Sequence, residues 1–465
     1  MVFYIVLFIL SAFLYISAPE HMSRGFEIVC LLVAFLSIYS HFRIENRLRY
    51  NRLSNIYLRH SVFFLICFSI VFFQYHIDYI IGFIGEDAEK IWIDTKYVSK
   101  SLALTILVLN SFFIGYRFRQ SKEHHEKVKY TLSYTYDVKK YVCYLGYFLI
   151  FVYLFTVDKD FLYGGYAKGG EAGEVNVVIV LLQSVIIAAM ALYCYDYKNV
   201  RMNTSAFVRT FSKPLGLILL YILAILVSGR RGGAVRMVSL LLIVYLFVIY
   251  RVNYKRLFLV AIGLGFVFAI IGAIRQMDDG TVSAGMDILT DNYSISPFTK
   301  ELAGSIQTLH VAVSNFPHYF PYNYGITFFP GFLVLIPGAE RLYREVLTSG
   351  VPMGSGDVLT NIYFNNDPQW GLGSSLIADS YISFGTLGSI ILFAILGIFF
   401  RYLEVETFIK RKSVYMLALS FCCYSQFLVI CRGSFNGMFL SVSYSFLIVF
   451  ACHIFSSRKL VAVKN

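Results

Sequence analysis

The chain alternates between long apolar runs and short polar segments. Twelve of these runs are close to the length of about 17–25 residues that carries an α-helix across a bilayer. They cover residues 2–17, 25–41, 61–83, 97–116, 140–157, 175–195, 212–228, 234–250, 257–274, 380–400, 413–431 and 437–456. The first run lacks the basic leading segment of a signal peptide, so we interpret it as a membrane span. The pattern predicts an all-α integral membrane protein with about twelve transmembrane helices.

One segment, residues 275–379, breaks the alternation. A connection of that length is normally either functional or disordered, and its many aromatic residues argue against disorder. We therefore predict a folded helical cap over a membrane-level cavity. It separates spans one to nine, in residues 1–274, from spans ten to twelve and a cytoplasmic tail, in residues 380–465. Within the cap, residues 325–338 are apolar but too short to cross the membrane; a re-entrant hairpin and a buried part of the cap both remain open.

Composition supports the membrane interpretation and argues against other classes. Hydrophobic residues make up 58% of the chain and charged residues 15%, with a mean hydropathy of +0.65, as is typical of polytopic membrane proteins. The net charge of +12 does not indicate nucleic-acid binding, because the basic residues lie mostly in short loops between apolar runs. The eight cysteines lie in or beside the predicted spans. We expect them to be packing residues and expect neither disulfides nor a metal site.

The distribution of charge between alternate loops predicts the orientation in the membrane. One set of loops, with the C-terminal tail, contains 26 Lys and Arg residues against 7 Asp and Glu residues, whereas the rest of the chain contains 14 against 21. Basic residues accumulate in the cytoplasmic loops of membrane proteins. We therefore expect both termini to be cytoplasmic and the long segment to lie on the outer side.

Several arginines lie on the predicted outer side, against this rule. They are Arg230 and Arg231 in a glycine-flanked turn, Arg275 and Arg432 at the ends of spans nine and eleven, and Arg341 and Arg344 in the cap. An arginine at the membrane is costly and usually faces a polar partner, and its planar fork suits phosphate. The glycines around Arg230 also let backbone N–H groups approach an anion at a helix start. These residues predict a phosphate-binding site; the alternative is that each arginine only reaches lipid headgroups.

Three residues on the same side are candidates for a general base. Asp379 lies at the outer mouth of span ten, where a carboxylate near arginines is suited to accept a proton from a sugar hydroxyl. His310 and His318 are the two histidines of the long segment, and either is an alternative base. Purely structural roles also remain open: Asp379 as the partner of one arginine, and the histidines as surface residues.

At these positions the chain resembles the Wzy polysaccharide polymerases, which join oligosaccharide repeat units into O-antigens and related surface polymers. Most of residues 214–440 carry the resemblance, while the first two hundred or so match only in hydropathy. The segments concerned are VSGRRGGAVRM, AIRQM, FFPGFLVLIPG, GLGSSLIADSYISFGTLGSI and VICRGSFNGMF. The many predicted spans and the single dominant outer loop are shared as well.

The resemblance implies a metal-independent glycosyltransferase with a lipid-linked donor and no cofactor. It would move a growing glycan from undecaprenyl pyrophosphate onto a lipid-linked repeat unit at the periplasmic face of the bacterial inner membrane. In that scheme Arg230, Arg231, Arg275 and Arg432 bind the pyrophosphate, and Arg275 also assists catalysis by neutralising the departing charge. Asp379 stands where relatives often carry an acidic residue, commonly Glu. The expected partners are the two lipid-linked oligosaccharides, membrane lipids and a chain-length regulator protein.

Two other functions fit part of the pattern. An O-antigen ligase shares the architecture and differs in its acceptor. A flippase for lipid-linked oligosaccharides would also use basic residues, although shorter loops and two similar halves are expected of a transporter.

Overall fold

Helices account for nearly all of the described structure. The computed structural model describes residues 1–47, 59–86, 88, 91–118, 130–132, 136–157, 173–197, 202–227, 231–249, 300–328, 333, 339, 354–368, 371–410, 413–455 and 460–462. The helices are α1 Val2–Ile16, α2 Arg24–Arg47, α3 His60–Ile81, α4 Thr95–Phe118, α5 Tyr136–Thr156, α6 Gly173–Asp196, α7 Thr204–Thr210, α8 Ser212–Val227, α9 Arg231–Val248, α10 Lys300–Ala303, α11 Ile306–Asn315, α12 Ser355–Tyr363, α13 Leu376–Glu404, α14 Val414–Cys431 and α15 Asn436–Phe455.

Eleven of the twelve predicted spans are helices in the structure, and the ninth lies outside the described residues. By length and composition, 7 helices of the described part can cross a membrane, and the bent pair α7–α8 would be an eighth. Three shorter apolar helices, within α1, α9 and α15, account for the remaining predicted spans. The protein is therefore an all-α, multi-pass membrane protein.

The chain divides into two compact units. The first unit comprises Met1–Lys122, Asp279–Tyr402 and Phe427–Gly437, and the second comprises Glu123–Asp278, Leu403–Gln426 and Met438–Asn465. The second unit contains a feature that hydropathy did not predict: β1 (Tyr130–Leu132) pairs antiparallel with β2 (Leu460–Ala462). The first unit contains the short helices α10, α11 and α12 of the predicted cap. Most of the apolar 325–338 segment lies outside the described residues, so its two interpretations remain open.

Contacts at the helix ends fix the directions of the long helices in the first unit. Glu27, near the start of α2, contacts His76 near the end of α3. At the other end of α2, the buried Glu45 pairs with three buried arginines next to or in other helix ends: Arg59, Arg117 and Arg401. Helices α2, α4 and α13 therefore run in one direction and α3 in the other, which is the alternation that the predicted topology requires. We call the end with Glu27 and His76 the site end.

Helices α4 and α13 cross with their backbones in contact, and glycines make this possible. A Cβ atom on Gly397 would lie 2.7 Å from the backbone nitrogen of Tyr116 and closer still to the carbonyl oxygen of Phe112. A Cβ on Gly115 would clash in the same way with the carbonyl oxygen of Ala394. Small residues at such crossings let membrane helices approach closely, and backbone atoms cannot move aside as a flexible side chain can.

We expect Gly397→Ala to destabilise the protein, because even one methyl group forces α4 and α13 apart. Overpacking of this kind costs about 1–3 kcal/mol, and a clash with backbone belongs at the upper end. The measurement is the thermal unfolding midpoint in detergent. Gly371→Ala is the matched control, since nothing lies within 4 Å of the added methyl. Equal midpoints for the two variants would show that the crossing is looser than described.

Candidate functional site

Asp379 lies in the first turn of α13, at the site end of the first unit. The preceding Ser375 begins this helix: its Oγ accepts a hydrogen bond from the backbone nitrogen of Ala378 at 3.4 Å, and its carbonyl oxygen accepts one from Asp379 at 2.8 Å. A serine in this position satisfies N–H groups that the first helical turn leaves unpaired. The carboxylate that follows is completely buried. The helix start thus holds Asp379 inside the protein.

Both carboxylate oxygens of Asp379 accept hydrogen bonds from separate segments. Thr327 Oγ1, in the cap, donates to Oδ1 at 3.1 Å. The backbone nitrogen of Phe435, in the loop between α14 and α15, donates to Oδ2 at 3.0 Å. Burying a charge is costly unless it is paired or hydrogen-bonded, and hydrogen bonds to a carboxylate are strong ones. Asp379 therefore joins the cap, α13 and the loop that carries Arg432.

Arg432 closes a ring of polar contacts with Asp379. Its Nε donates to Ser305 Oγ at 3.1 Å, just before α11. One turn later, Thr308 Oγ1 hydrogen-bonds to the Ser305 carbonyl oxygen at 2.7 Å and to Ser375 Oγ at 2.9 Å, which leads back to Asp379. We call this ring the Asp379–Arg432 network. The structure therefore brings together two predicted site residues that are distant in sequence.

A break in α13 separates the short segment with Asp379 from the rest of the helix. Gly385 has φ 65° and ψ −164°, and the backbone nitrogen of Asn323, in the cap, donates to the nearby Ile382 carbonyl oxygen at 2.8 Å. A side chain at Gly385 would lie 2.8 Å from the ring of Tyr322, so both the φ value and the space favour glycine. Irregular backbone at membrane depth is tolerated where protein or a water-filled cavity surrounds it. The break therefore lets the cap satisfy the backbone beside Asp379.

The whole chain matches one protein family. A family model described as O-antigen polysaccharide polymerase Wzy matches residues 1–465. The chain belongs to this family. No curated protein and no solved structure matches the chain significantly. The match also covers the N-terminal spans, where only hydropathy suggested it from sequence. Membership in the Wzy family supports an O-antigen polymerase role for the protein.

The two candidate histidines of this Wzy protein lie in different surroundings. His310 is completely buried on α11, with its ring centroid 6.0 Å from that of Trp92. It lies two residues after Thr308, and two residues along an α-helix are about 200° apart, so it points away from the Asp379–Arg432 network. Burial, with a smaller contribution from His76, lowers the pKa of His310 to about 3, so this histidine is neutral. His318 is exposed beside Tyr97.

Most of the predicted phosphate-binding arginines lie outside the described residues. This holds for Arg230, Arg275, Arg341 and Arg344, and nothing is described of the Arg231 side chain. Their convergence on one anion therefore remains a prediction. Arg432 is the member of the set whose contacts are seen, and it lies in the same network as the candidate base.

Arg236 is a further arginine of this Wzy protein with described polar contacts, and it lies in the second unit. It lies in α9, and its Nη1 donates to Gln183 Oε1 at 3.2 Å, while Gln183 Nε2 donates to Tyr221 Oη at 2.5 Å. The Nε of Arg236 is buried and has no hydrogen-bond partner among the described residues. The sequence placed Arg236 one turn beyond the glycine-flanked pair but did not identify Gln183 or Tyr221. The only available signal was the amide of Gln183 in the middle of the apolar run 175–195.

Titratable side chains that bind metals do not cluster in the part of the chain that the structure describes. There, no group of three or more His, Cys, Asp or Glu residues could hold a metal ion. The eight cysteines are buried and free.

Proposed function

We propose that this protein is the polymerase that transfers a growing glycan from undecaprenyl pyrophosphate onto a new lipid-linked repeat unit. The reaction would take place at the periplasmic face of the bacterial inner membrane, with both termini in the cytoplasm. Family membership supports the polymerase role. The observation that supports this proposal most directly is the Asp379–Arg432 network, in which hydrogen bonds connect a buried carboxylate and an arginine to Thr327 and Ser305 of the cap.

The proposed orientation in the membrane is based on the distribution of basic residues between the loops and on the directions of the helices. The ion-paired Arg59, Arg117 and Arg401 belong to the basic, cytoplasmic set of loops and gather at the end of α2 opposite to Glu27. The site end would then face the periplasm, where a lipid-linked donor and acceptor would meet. A chain-length regulator and the surrounding lipids are the further partners that we propose.

In the proposed mechanism the arginines hold the donor pyrophosphate. The positive charge would come from Arg230, Arg231, Arg275 and Arg432, with Arg341 and Arg344 of the cap. The interaction of these arginines with the pyrophosphate would strengthen as the pyrophosphate departs. Arg275 would act catalytically by neutralising that developing charge. Because the pyrophosphate is already a good leaving group and the arginines supply the charge, we propose that neither a metal nor a cofactor takes part.

Asp379 is the proposed general base. The acceptor oxygen forms a bond to the anomeric carbon of the donor sugar, and the bond from that carbon to the pyrophosphate oxygen breaks with its electron pair. The hydroxyl proton passes to the Asp379 carboxylate. A carboxylate has about four acceptor sites, and the hydrogen bonds from Thr327, Phe435 and Ser355 leave one of them free, so these contacts position the base without saturating it. His310 is the alternative catalytic residue.

The test is the lipopolysaccharide of a strain that lacks this protein. We expect molecules capped with a single repeat unit, because ligation proceeds without polymerisation, and a full ladder when the gene is restored. The measurement is the gel ladder of the deletion strain against its complemented strain. Loss of every capped form would instead indicate a ligase or a flippase and would reject the polymerase proposal.

A further inference from the structure

The cap presents an exposed tyrosine close to Asp379. Tyr324 is 79% exposed, and it lies three residues before Thr327, whose hydroxyl donates to the Asp379 carboxylate. Three residues of fully extended chain span at most about 11 Å. The aromatic ring therefore lies within the length of a short oligosaccharide from the candidate base.

Tyr324 lies in a turn that is attached to α13 on both sides. Before it, the backbone nitrogen of Asn323 donates to the Ile382 carbonyl oxygen at 2.8 Å. After it, Thr327 Oγ1 lies 3.0 Å from Ser383 Oγ, in addition to its bond to the carboxylate. These contacts hold the exposed ring in a fixed place beside the start of α13.

The backbone of this turn is unusual for a tyrosine. The backbone nitrogen of Ile326 donates to the Asn323 carbonyl oxygen at 3.0 Å, and the two residues between them, Tyr324 and Gly325, have φ values of 46° and 83°. A tight turn with two positive φ values favours Asn-Gly or Gly-Gly, because larger side chains are strained there. Strain of this kind is concentrated at active sites and ligand-binding sites. Anchoring at the membrane interface needs only an aromatic residue with ordinary backbone, so it does not account for this position.

The exposed ring has the chemistry to bind a sugar. One face of a pyranose ring carries C–H groups with a slight positive charge, and the face of an aromatic ring is electron-rich, so the two stack. The tyrosine hydroxyl can also hydrogen-bond to a sugar hydroxyl. Glycosyl transfer requires the acceptor hydroxyl to be held within reach of the base. A fixed aromatic ring beside Asp379 would supply this positioning.

We propose that Tyr324 is a sugar-stacking platform that binds a pyranose ring of the acceptor repeat unit and holds its hydroxyl near Asp379. This inference rests on the proposed polymerase function. The platform acts by binding alone, and no covalent bond changes in this step. Its loss therefore raises the KM for the lipid-linked repeat unit and leaves kcat nearly unchanged.

The first test is the binding of a lipid-free sugar. The probe is the oligosaccharide that mild acid releases from lipid-linked repeat units, and its affinity for the full-length protein in nanodiscs is measured by saturation-transfer NMR. Tyr324→Phe keeps the ring and should bind the probe about as well as wild type. Tyr324→Leu stays apolar but loses the ring, so it should bind roughly tenfold more weakly. Tyr324→Gly should bind as weakly as leucine and unfold at or above the wild-type temperature, because glycine adopts a positive φ without strain.

Tyr319→Leu is the matched control. Tyr319 is 78% exposed in the same cap, but its backbone nitrogen donates to Asn315 of α11 and not to α13. The variant should bind the probe like wild type. Membrane anchoring predicts instead that leucine replaces Tyr324 without loss of sugar binding. That result would overturn the platform, as would an equal loss in Tyr319→Leu or the absence of binding to the wild-type protein.

Polymerisation in proteoliposomes separates the platform from the proposed function. With lipid-linked repeat units as substrate, Tyr324→Leu should raise the KM of the first transfer, which joins two repeat units, about tenfold. A wild-type KM in this variant would overturn the platform and leave the polymerase function intact. If the wild-type protein forms no glycosidic bond although the probe binds through Tyr324, the proposed function fails and the sugar site stands.

Discussion

Replacing Arg432 with alanine is expected to slow polymerisation about ten- to hundred-fold or more, and the same holds for Arg230, Arg231 and Arg275. A hydrogen bond to a charged group contributes roughly 1.5–3 kcal/mol. If this bond strengthens as the pyrophosphate departs, removing it raises the activation free energy and slows the reaction accordingly. Arg→Lys keeps the charge but loses the planar fork, so each lysine variant should fall between wild type and alanine. The measurement is polymer length and yield at matched protein abundance.

Two controls separate a phosphate site from other roles. Arg209, exposed in α7 on the predicted cytoplasmic side, should tolerate both lysine and alanine, as expected of an arginine that reaches headgroups. Ser305→Ala removes the oxygen that accepts from Arg432 Nε and should cost less than Arg432→Ala, because the guanidinium remains. Wild-type ladders from all four lysine variants would reject the pyrophosphate site.

The sequence predicted the helices well because hydropathy is a local signal. Each apolar run that the structure describes is a helix, since backbone groups in a bilayer must be paired within the segment. The same signal could not show the break in α13. Glycines also occur at positions 388 and 397 of that helix, and only Gly385, with Tyr322 packed against it, adopts a left-handed φ.

The site was predictable only where a side chain breaks a rule of membrane topology. Arg432 and Asp379 stood out because charges at the outer ends of spans need a polar partner. The donors to Asp379 carry no such signal: Phe435 contributes its backbone nitrogen, which every residue but proline possesses, and Thr327 is one hydroxyl in an apolar stretch. The pairing of Glu27 with His76 depends on two helices packing antiparallel, and a single sequence does not encode that contact locally.

The structure changes the interpretation of His310. A histidine in a long polar loop suggests an exposed residue or a base that meets the substrate. Instead α11 buries its face with His310 against Trp92, and burial keeps the ring neutral. The sequence could not anticipate this, because the helix is short and the neighbours of His310 come from α3 and from the segment before α4.

Asp379→Asn is expected to abolish most turnover while the lipid-linked donor still binds. The asparagine keeps the shape of the aspartate. Its amide oxygen can accept from the backbone nitrogen of Phe435, and its amide nitrogen can donate to Thr327 Oγ1, so the Asp379–Arg432 network should survive. What is lost is the ability to take a proton, and a positioned general base contributes about 10²–10⁴-fold to a rate. The measurement is the rate of the first transfer together with the affinity for the donor.

Thr327→Val is the matched control for this substitution. It removes one donor to the carboxylate and leaves the base itself, so it should slow the first transfer much less than Asp379→Asn does. If Asp379 served only to anchor the loop with Arg432, asparagine would do so nearly as well as aspartate, and the first transfer would continue at close to the wild-type rate. That result would move the role of base to His310 or His318. A large loss in Asp379→Asn with unchanged donor affinity, beside a small loss in Thr327→Val, would assign the proton transfer to the carboxylate, because only the acid–base property differs between wild type and the asparagine variant.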